Sequence, residues 1–388
     1  MNIVARAERV RLPVAGRGVR DHVLGPAATF ETSKGPFCRQ AVAALHVVAD
    51  PWHEGAVDWD ATLALRHRIW DMGLGVAEAM DTAQRGMGLP VEQARELNRR
   101  SLREAAARGD APALYCGVAT DALPDGRPAT LDAIVAAYEA QIEEVEAAGG
   151  QAVVMASRAL AASAKGPDDY ARVYDRVLGG LSRPAIVHWL GEMFDPALEG
   201  YWGCGDHMAA MDVCLDILQR HAPRVAGVKL SLLDREKEVA MRRRLPKGVA
   251  MFTGDDFNFV DLIEGDGTHA SDALLGAFDM LAPAASAALG RLTAGDVEGW
   301  RGILKPTEAL ARHVFAAPTR FYKTGVVFLA WLYGWQPHFV MLGGQQSARS
   351  LLHLTEAFRL ADACRLFPDP DLAAARMRAF LTVQGVAQ

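Results

Sequence analysis

Short apolar runs, each followed by a segment of helical spacing, predict an α/β fold in which parallel strands joined by right-handed crossovers close into a (β/α)8 TIM barrel. Two observations favour the closed barrel over an open doubly wound sheet. The alternation continues for eight units, the number that closes a barrel. The turn after the first run, Ala49-Asp50-Pro51-Trp52-His53, has nothing of the glycine-rich phosphate-binding pattern that open dinucleotide-binding sheets carry there. The division expected is an N-terminal extension over residues 1–40, the barrel over 41–304, and a helical C-terminal region over 305–388.

The elements follow in order. Residues 3–12 alternate and residues 13–18 supply turn formers, the pattern of a hairpin. Residues 41–48 are the first barrel run, and 60–72 a helix with Leu63, Ile69 and Trp70 as core positions. Residues 75–81 are the second run, before a helix over 91–107. Residues 113–118 are the third. Thr130 then caps a helix whose Ile134, Tyr138, Ile142 and Val145 recur at helical spacing up to Gly149-Gly150. The fourth run is 152–156, the fifth 184–189, the sixth 225–230 and the seventh 249–253, with helices over 170–178 and 208–221 between them. A weak eighth strand falls near 266–270. Beyond 305 the pattern is helical, broken by Pro318, Pro337, Gly343-Gly344 and Pro368.

Half of the 388 residues are apolar and 23% are charged, enough for a large core and too ordered a composition for disorder. The net charge of −6 is dispersed, without the basic stripe a nucleic-acid backbone requires. Five cysteines without metal-like spacing suggest reduced thiols and a cytoplasmic location. The early charges in residues 1–9 do not fit a secretory signal, and no apolar run is long enough to span a membrane.

Chemistry enters with Val225-Ala226-Gly227-Val228-Lys229-Leu230-Ser231, a buried strand ending on a lysine. Burial disfavours the ammonium form, and a neutral lysine in a pocket attacks carbonyl carbon to give a Schiff base. The competing reading is a lysine that snorkels to water or pairs with a carboxylate.

Five segments in this order resemble the dihydrodipicolinate synthase / N-acetylneuraminate lyase aldolases over about residues 36–360. Gly227-Val228-Lys229-Leu230-Ser231 resembles the family's Schiff-base segment, and Pro184-Ala185-Ile186-Val187-His188-Trp189 its strand ending in a catalytic tyrosine. Met80-Asp81-Thr82-Ala83-Gln84-Arg85 sits where the family has a G-T-T-G-E turn. Phe252-Thr253-Gly254-Asp255-Asp256 resembles its F-[SN]-G-[DN]-D turn, and Phe321-Tyr322-Lys323-Thr324-Gly325-Val326 the start of a C-terminal helix. The resemblance implies a class I-type aldolase or lyase without a cofactor. Its substrate would be a 2-oxo acid or keto-sugar-like compound, and its assembly a dimer or tetramer. It also implies Lys229 as nucleophile, with His188 at the tyrosine's place.

The departures bear on function. His188 replaces a tyrosine relay, and an imidazole shuttles protons near neutral pH; a strand-end histidine held by hydrogen bonds is the alternative. Thr82-Ala83 replaces a threonine pair that holds a carboxylate in the family, with Asp81 beside it. If Asp81 lines the pocket, a neutral polyhydroxylated ketone suits the site better than pyruvate; otherwise Asp81 forms a turn. Gln84, Gly254 and Asp255 are further substrate-binding candidates, as are His46 at the end of the first strand and Glu192 in the insertion at residues 194–207 and its approach. Such an insertion at a barrel mouth suits a lid, and Trp189 or Trp202 could stack on a sugar. His46, Asp50, Asp81, His188 and Glu192 together form a second possibility, a metal-dependent lyase or hydrolase. A non-catalytic ligand-binding barrel is the third. Trp331, Trp335 and Phe339 in the tail suggest apolar surface covered by association or by the barrel.

Overall fold

The computed structural model describes residues 8–27, 29–124 and 127–388; residues 3–7 of the expected first strand and residues 1–7 of the charged start lie outside them. Strands β1 (Arg9–Val14) and β2 (Gly18–Val23) pair antiparallel around a turn at residues 15–17. Eight strands then form a closed parallel barrel: β3 (Ala41–Ala44), β4 (Gly75–Glu78), β5 (Leu114–Val118), β6 (Gln151–Val154), β7 (Ala185–Leu190), β8 (Val225–Ser231), β9 (Ala250–Thr253) and β10 (Asp272–Leu275). Neighbours follow chain order, and β10 closes the ring against β3. The fold is a TIM barrel.

Local chemistry sets the helices between the strands. Asp58 and Thr130 accept N–H bonds from the first turns of the helices Trp59–Asp71 and Leu131–Ala147, and Asp206 does the same for His207–Arg220. Pro167 opens Pro167–Gly180, where its missing N–H costs nothing. In the first helix Leu65, rather than Leu63, is the core residue beside Ile69 and Trp70.

The eighth strand lies later than the sequence suggested. Residues 266–270 are a turn: Gly265 and Gly267 have φ of 90° and 85°, and the Asp266 carboxylate accepts the N–H groups of Thr268 and His269. The strand proper begins at Asp272, whose carboxylate accepts the Gln40 N–H, and runs within two residues of the helix Ala277–Thr293. That helix is buried on nearly all sides, so strand and helix form one apolar stretch in which the boundary is hidden.

Alternation sorts the strand side chains into two sets. Val42, Ala44, Ala77, Tyr115, Val153, Ile186, Phe252 and Leu274 fill the barrel interior as their own cluster, while the other faces join the larger core beneath the helices. One charged pair interrupts that outer core. Arg66 and Glu78 are both fully buried and form a two-pronged ion pair, Nε to Oε1 at 2.8 Å and Nη2 to Oε2 at 2.9 Å. Ser101 donates to Glu78, and Arg66 also reaches the His46 carbonyl, tying β3, β4 and two helices at the C-terminal end of the strands.

The last part of the chain is helical: Thr307–Val314, Tyr322–Leu332, Leu351–Ala363 and Pro370–Val383. Trp331, Trp335 and Phe339 pack against the main core of their own chain, so they no longer argue for a subunit interface. The insertion is likewise anchored in the core through Phe194, Leu198, Tyr201 and Trp202. Trp189 and Trp202 are buried, Tyr201 donates to Tyr174 or accepts from it at 2.9 Å, and its Oη accepts the Ser157 N–H. No helix among the described residues is long and apolar enough to cross a membrane.

Removing one member of the Arg66–Glu78 pair strands the other charge in the core. Arg66→Ala is expected to destabilise the fold by about 3–5 kcal/mol in urea denaturation, and the double change Arg66→Met, Glu78→Leu by much less. Equal losses for the two would show the pair contributes nothing beyond packing.

Candidate active site

Inward alternation along β8 carries Gly227, Lys229 and Ser231 to the barrel axis, and in-register pairing places His188 of β7 and Phe252 of β9 beside Lys229. Lys229 is 5% exposed. Among the described residues its Nζ has no hydrogen bond and no ion pair. Burial therefore pulls its pKa below the ordinary 10.5, and the charges on Asp81 and Asp256 oppose that without cancelling it.

Gly254 makes room for this side chain. A Cβ there would come within 3.0 Å of Lys229 Cε, 2.8 Å of the Leu230 carbonyl and 2.1 Å of Ser231 Oγ. Gly254 is thus a close-packing position beside the amine rather than a ligand contact. His188 is fully buried, with Nε2 3.1 Å from Ser231 Oγ and Nδ1 without a partner among the described residues. Burial, reinforced by Lys229, holds its pKa well below 6.5, so the imidazole is neutral.

Asp81 opens the turn after β4. Burial alone would raise its carboxyl, but the charges of Lys323 and Lys229 and a hydrogen bond from Tyr322 outweigh burial and keep it ionised. Tyr322 Oη donates to Asp81 Oδ2 at 2.7 Å and accepts from Thr82 Oγ1 at 2.7 Å. The Thr82 hydroxyl is therefore tied to Tyr322 and does not face a ligand. Tyr322 is itself clamped, stacked on Phe315 at 4.2 Å and met edge-on by Phe194. The neighbouring Lys323 is 3% exposed, donates to the Arg320 carbonyl at 3.0 Å, and lies 4.5 Å from the centre of the Tyr322 ring. Burial brings its pKa down to about 8.

Asp256, not Asp255, faces the lysine. Asp255 bonds the N–H groups of Phe257 and Asn258 and the Asn258 amide, which makes it a loop-forming residue. Asp256 accepts the Ala277 N–H at 2.8 Å, and burial raises its pKa to about 8, Lys229 acting against the rise. At neutral pH Asp81 is then the charged partner of Lys229, and Asp256 a neutral acid.

Other expected positions lie elsewhere. His46 is locked, Nδ1 to Asp279 at 2.7 Å and Nε2 to Gln336 at 2.8 Å. Gln84 donates to the carbonyls of Leu342 and Met87, joining the C-terminal region to the β4 turn. Glu192 is half-exposed and paired with His207, and Asp50 holds an exposed loop through Trp52 and His53. These separate engagements leave the suggested rim of His46, Asp50, Asp81, His188 and Glu192 unassembled. Among the described residues no three His, Cys, Asp or Glu side chains gather as a metal-binding group.

A cleft opens at this end of the barrel. Asp81, Arg85, Met87, Arg158, Asp195 and Lys323 are among its walls; Lys229 and His188 are not. Sequence reasoning placed Asp256 at the rim only together with Asp255, read Lys323 as a structural pair, and gave Tyr322 and Ser231 no role of their own. For Tyr322 and Lys323 the available signal was a tyrosine and a lysine entering an otherwise apolar helix.

The arrangement is a TIM barrel with a buried amine and a neutral imidazole on adjacent strands. In fold it is similar to the dihydrodipicolinate synthases. Matches include YagE of E. coli K12, described as a prophage protein of the dihydrodipicolinic acid synthase family in complex with pyruvate, at TM-score 0.66 and 12% identity over 85% of this chain and 99% of that one. The dihydrodipicolinate synthase of Aquifex aeolicus matches at 0.64 and 14% identity over 85% and 99%, and that of Thermotoga maritima at 0.62 and 11% over 84% and 99%. The chain belongs to the family described as protein of unknown function DUF993, whose model matches residues 10–386. A comparison with curated proteins finds no match.

Gly254→Ala tests the packing around the amine. The added methyl group forces Ser231 and Lys229 aside, with an expected loss of about 1–3 kcal/mol in thermal or urea unfolding and slower labelling of Lys229 by amine reagents. Unchanged stability and labelling would mean the space beside Lys229 is not constrained.

Proposed function

We propose that the chain is a Schiff-base-forming lyase of the aldolase type acting on a keto compound, with Lys229 as nucleophile and His188 as proton carrier. One observation carries the reading: Lys229 is an unbonded, buried amine on a barrel strand, held below its ordinary pKa. Such a group is unprotonated more often than a solvated lysine, and the unprotonated amine is the form that attacks a carbonyl carbon. Its placement near the C-terminal ends of the strands, where barrel enzymes carry their chemistry, supports the reading. So does the similarity in fold to a protein bound to pyruvate, itself a keto compound.

The steps balance without an added cofactor. The Lys229 amine attacks the ketone carbon, a C–N bond forms, and the oxygen takes a proton to give a carbinolamine. Loss of water leaves an iminium. A base removes the proton of the hydroxyl two carbons from the iminium nitrogen's carbon, the intervening C–C bond breaks, and its electron pair moves onto nitrogen as an enamine while an aldehyde departs. Protonation of the enamine carbon and addition of water release the second product and restore the lysine. Neutral His188 is suited to take that proton and return it. Asp256, protonated below about pH 8, is placed to donate during loss of water.

Borohydride reduction in the presence of a reactive ketone should fix a secondary amine on the peptide containing Lys229, read by mass spectrometry, and Lys229→Met should abolish it. His188→Ala should leave trapping in place but slow turnover by about 10²–10⁴-fold. An adduct confined to Lys323, or turnover surviving in Lys229→Met, would refute the assignment.

A further inference from the structure

We infer that the substrate of Lys229 is a neutral, hydroxyl-bearing ketone, of the keto-sugar or polyol-ketone class, rather than a 2-oxo acid, because the side chain that both lines the cleft and faces the lysine is the Asp81 carboxylate. This rests on the Schiff-base reading above and narrows it.

Three observations lead there. The first is the identity of Asp81: among the cleft walls it alone is a charge partner of Lys229. A 2-oxo acid carries its carboxylate on the carbon that the amine attacks, so that anion would enter the same Asp81 field that acts on the lysine. The second is the hydrogen bonding of Asp81. Oδ2 accepts from Tyr322, while Oδ1 takes no hydrogen bond from the described residues and is left to accept from a ligand hydroxyl.

The third is that the cations around the cleft already have partners. Arg85 grips Asp121 with two bonds at 2.7 and 2.8 Å and also reaches the Gly117 carbonyl and Gln141. Arg158 is paired with Asp195 at 2.5 Å. Lys323 bonds the Arg320 carbonyl and is drawn toward Asp81 and Asp195. The Thr82 hydroxyl, which could have received an anion, belongs to Tyr322. The three acidic and three basic side chains of the cleft thus balance, and what remains is an acceptor for hydroxyl groups.

The test compares ketones on the full-length protein. Dihydroxyacetone and pyruvate, each with cyanoborohydride, are followed by peptide mass spectrometry at Lys229, with rates normalised to those of Nα-acetyl-lysine, whose ε-amine is free, under the same conditions. The expected normalised rate is at least about tenfold higher for dihydroxyacetone. Asp81→Asn keeps an acceptor for Tyr322 and removes the charge, so it should bring the ratio down toward one. Loss of Asp81 also changes the lysine's own basicity, but that alters both rates alike and leaves the ratio clean.

Equal or faster trapping of pyruvate in the wild type overturns the substrate class while leaving the Schiff base intact. A dihydroxyacetone preference that Asp81→Asn does not change overturns the role given to Asp81. No adduct at Lys229 from either ketone overturns the Schiff-base reading, and this inference with it. The wild-type ratio decides the substrate class by itself should Asp81→Asn fail to fold.

Discussion

Taking an ammonium ion out of water without a partner is among the costlier things a fold can do, and the surroundings of Lys229 are arranged around that cost. The strand that bears it is flanked in register by a neutral imidazole and a phenylalanine, neither of which carries the negative charge that would hold a proton on the amine. The carboxylates that act on it do so through the field rather than by contact. One of them, Asp256, is driven toward its neutral form by the same burial. The result is an amine whose charged state is opposed by its environment and whose neutral state is a nucleophile.

Keeping that arrangement depends on parts of the chain far from β8. The C-terminal region supplies Tyr322, which holds Asp81 and Thr82, and Gln336, which holds His46 against Asp279. The buried Arg66–Glu78 pair fixes the ends of β3 and β4, from which the Asp81 turn departs. The tail is thus part of the barrel mouth, and it determines which side chains around the amine stay available.

The barrel was readable because strand and helix runs alternate with clear breakers, and Lys229 because a lysine late in a short aliphatic strand is unusual. Reading failed where the breaker was missing. β10 merges with the apolar helix Ala277–Thr293, and the glycine-rich turn before it drew the strand assignment forward. It failed again where a role depends on partners remote in sequence. Nothing near Gln84 or His46 announces that Leu342 and Gln336 will engage them, and only the fold separates Asp255, which shapes its loop, from Asp256, which faces the lysine. Expectations carried by motif position, such as Thr82 as a substrate contact, gave way to the hydrogen bond with Tyr322, which lies 240 residues away.

The amine itself is the most direct place to look. Incorporating lysine labelled with ¹³C at Cε, assigning the Lys229 signal by its absence in Lys229→Arg, and titrating the folded protein by NMR gives its protonation midpoint without any substrate. The account requires a midpoint below 10.5, the amine becoming neutral earlier than that of a solvated lysine. A midpoint at 10.5 or above would mean that the group is hydrated or paired, and that the barrel holds an ordinary ammonium ion instead of a nucleophile.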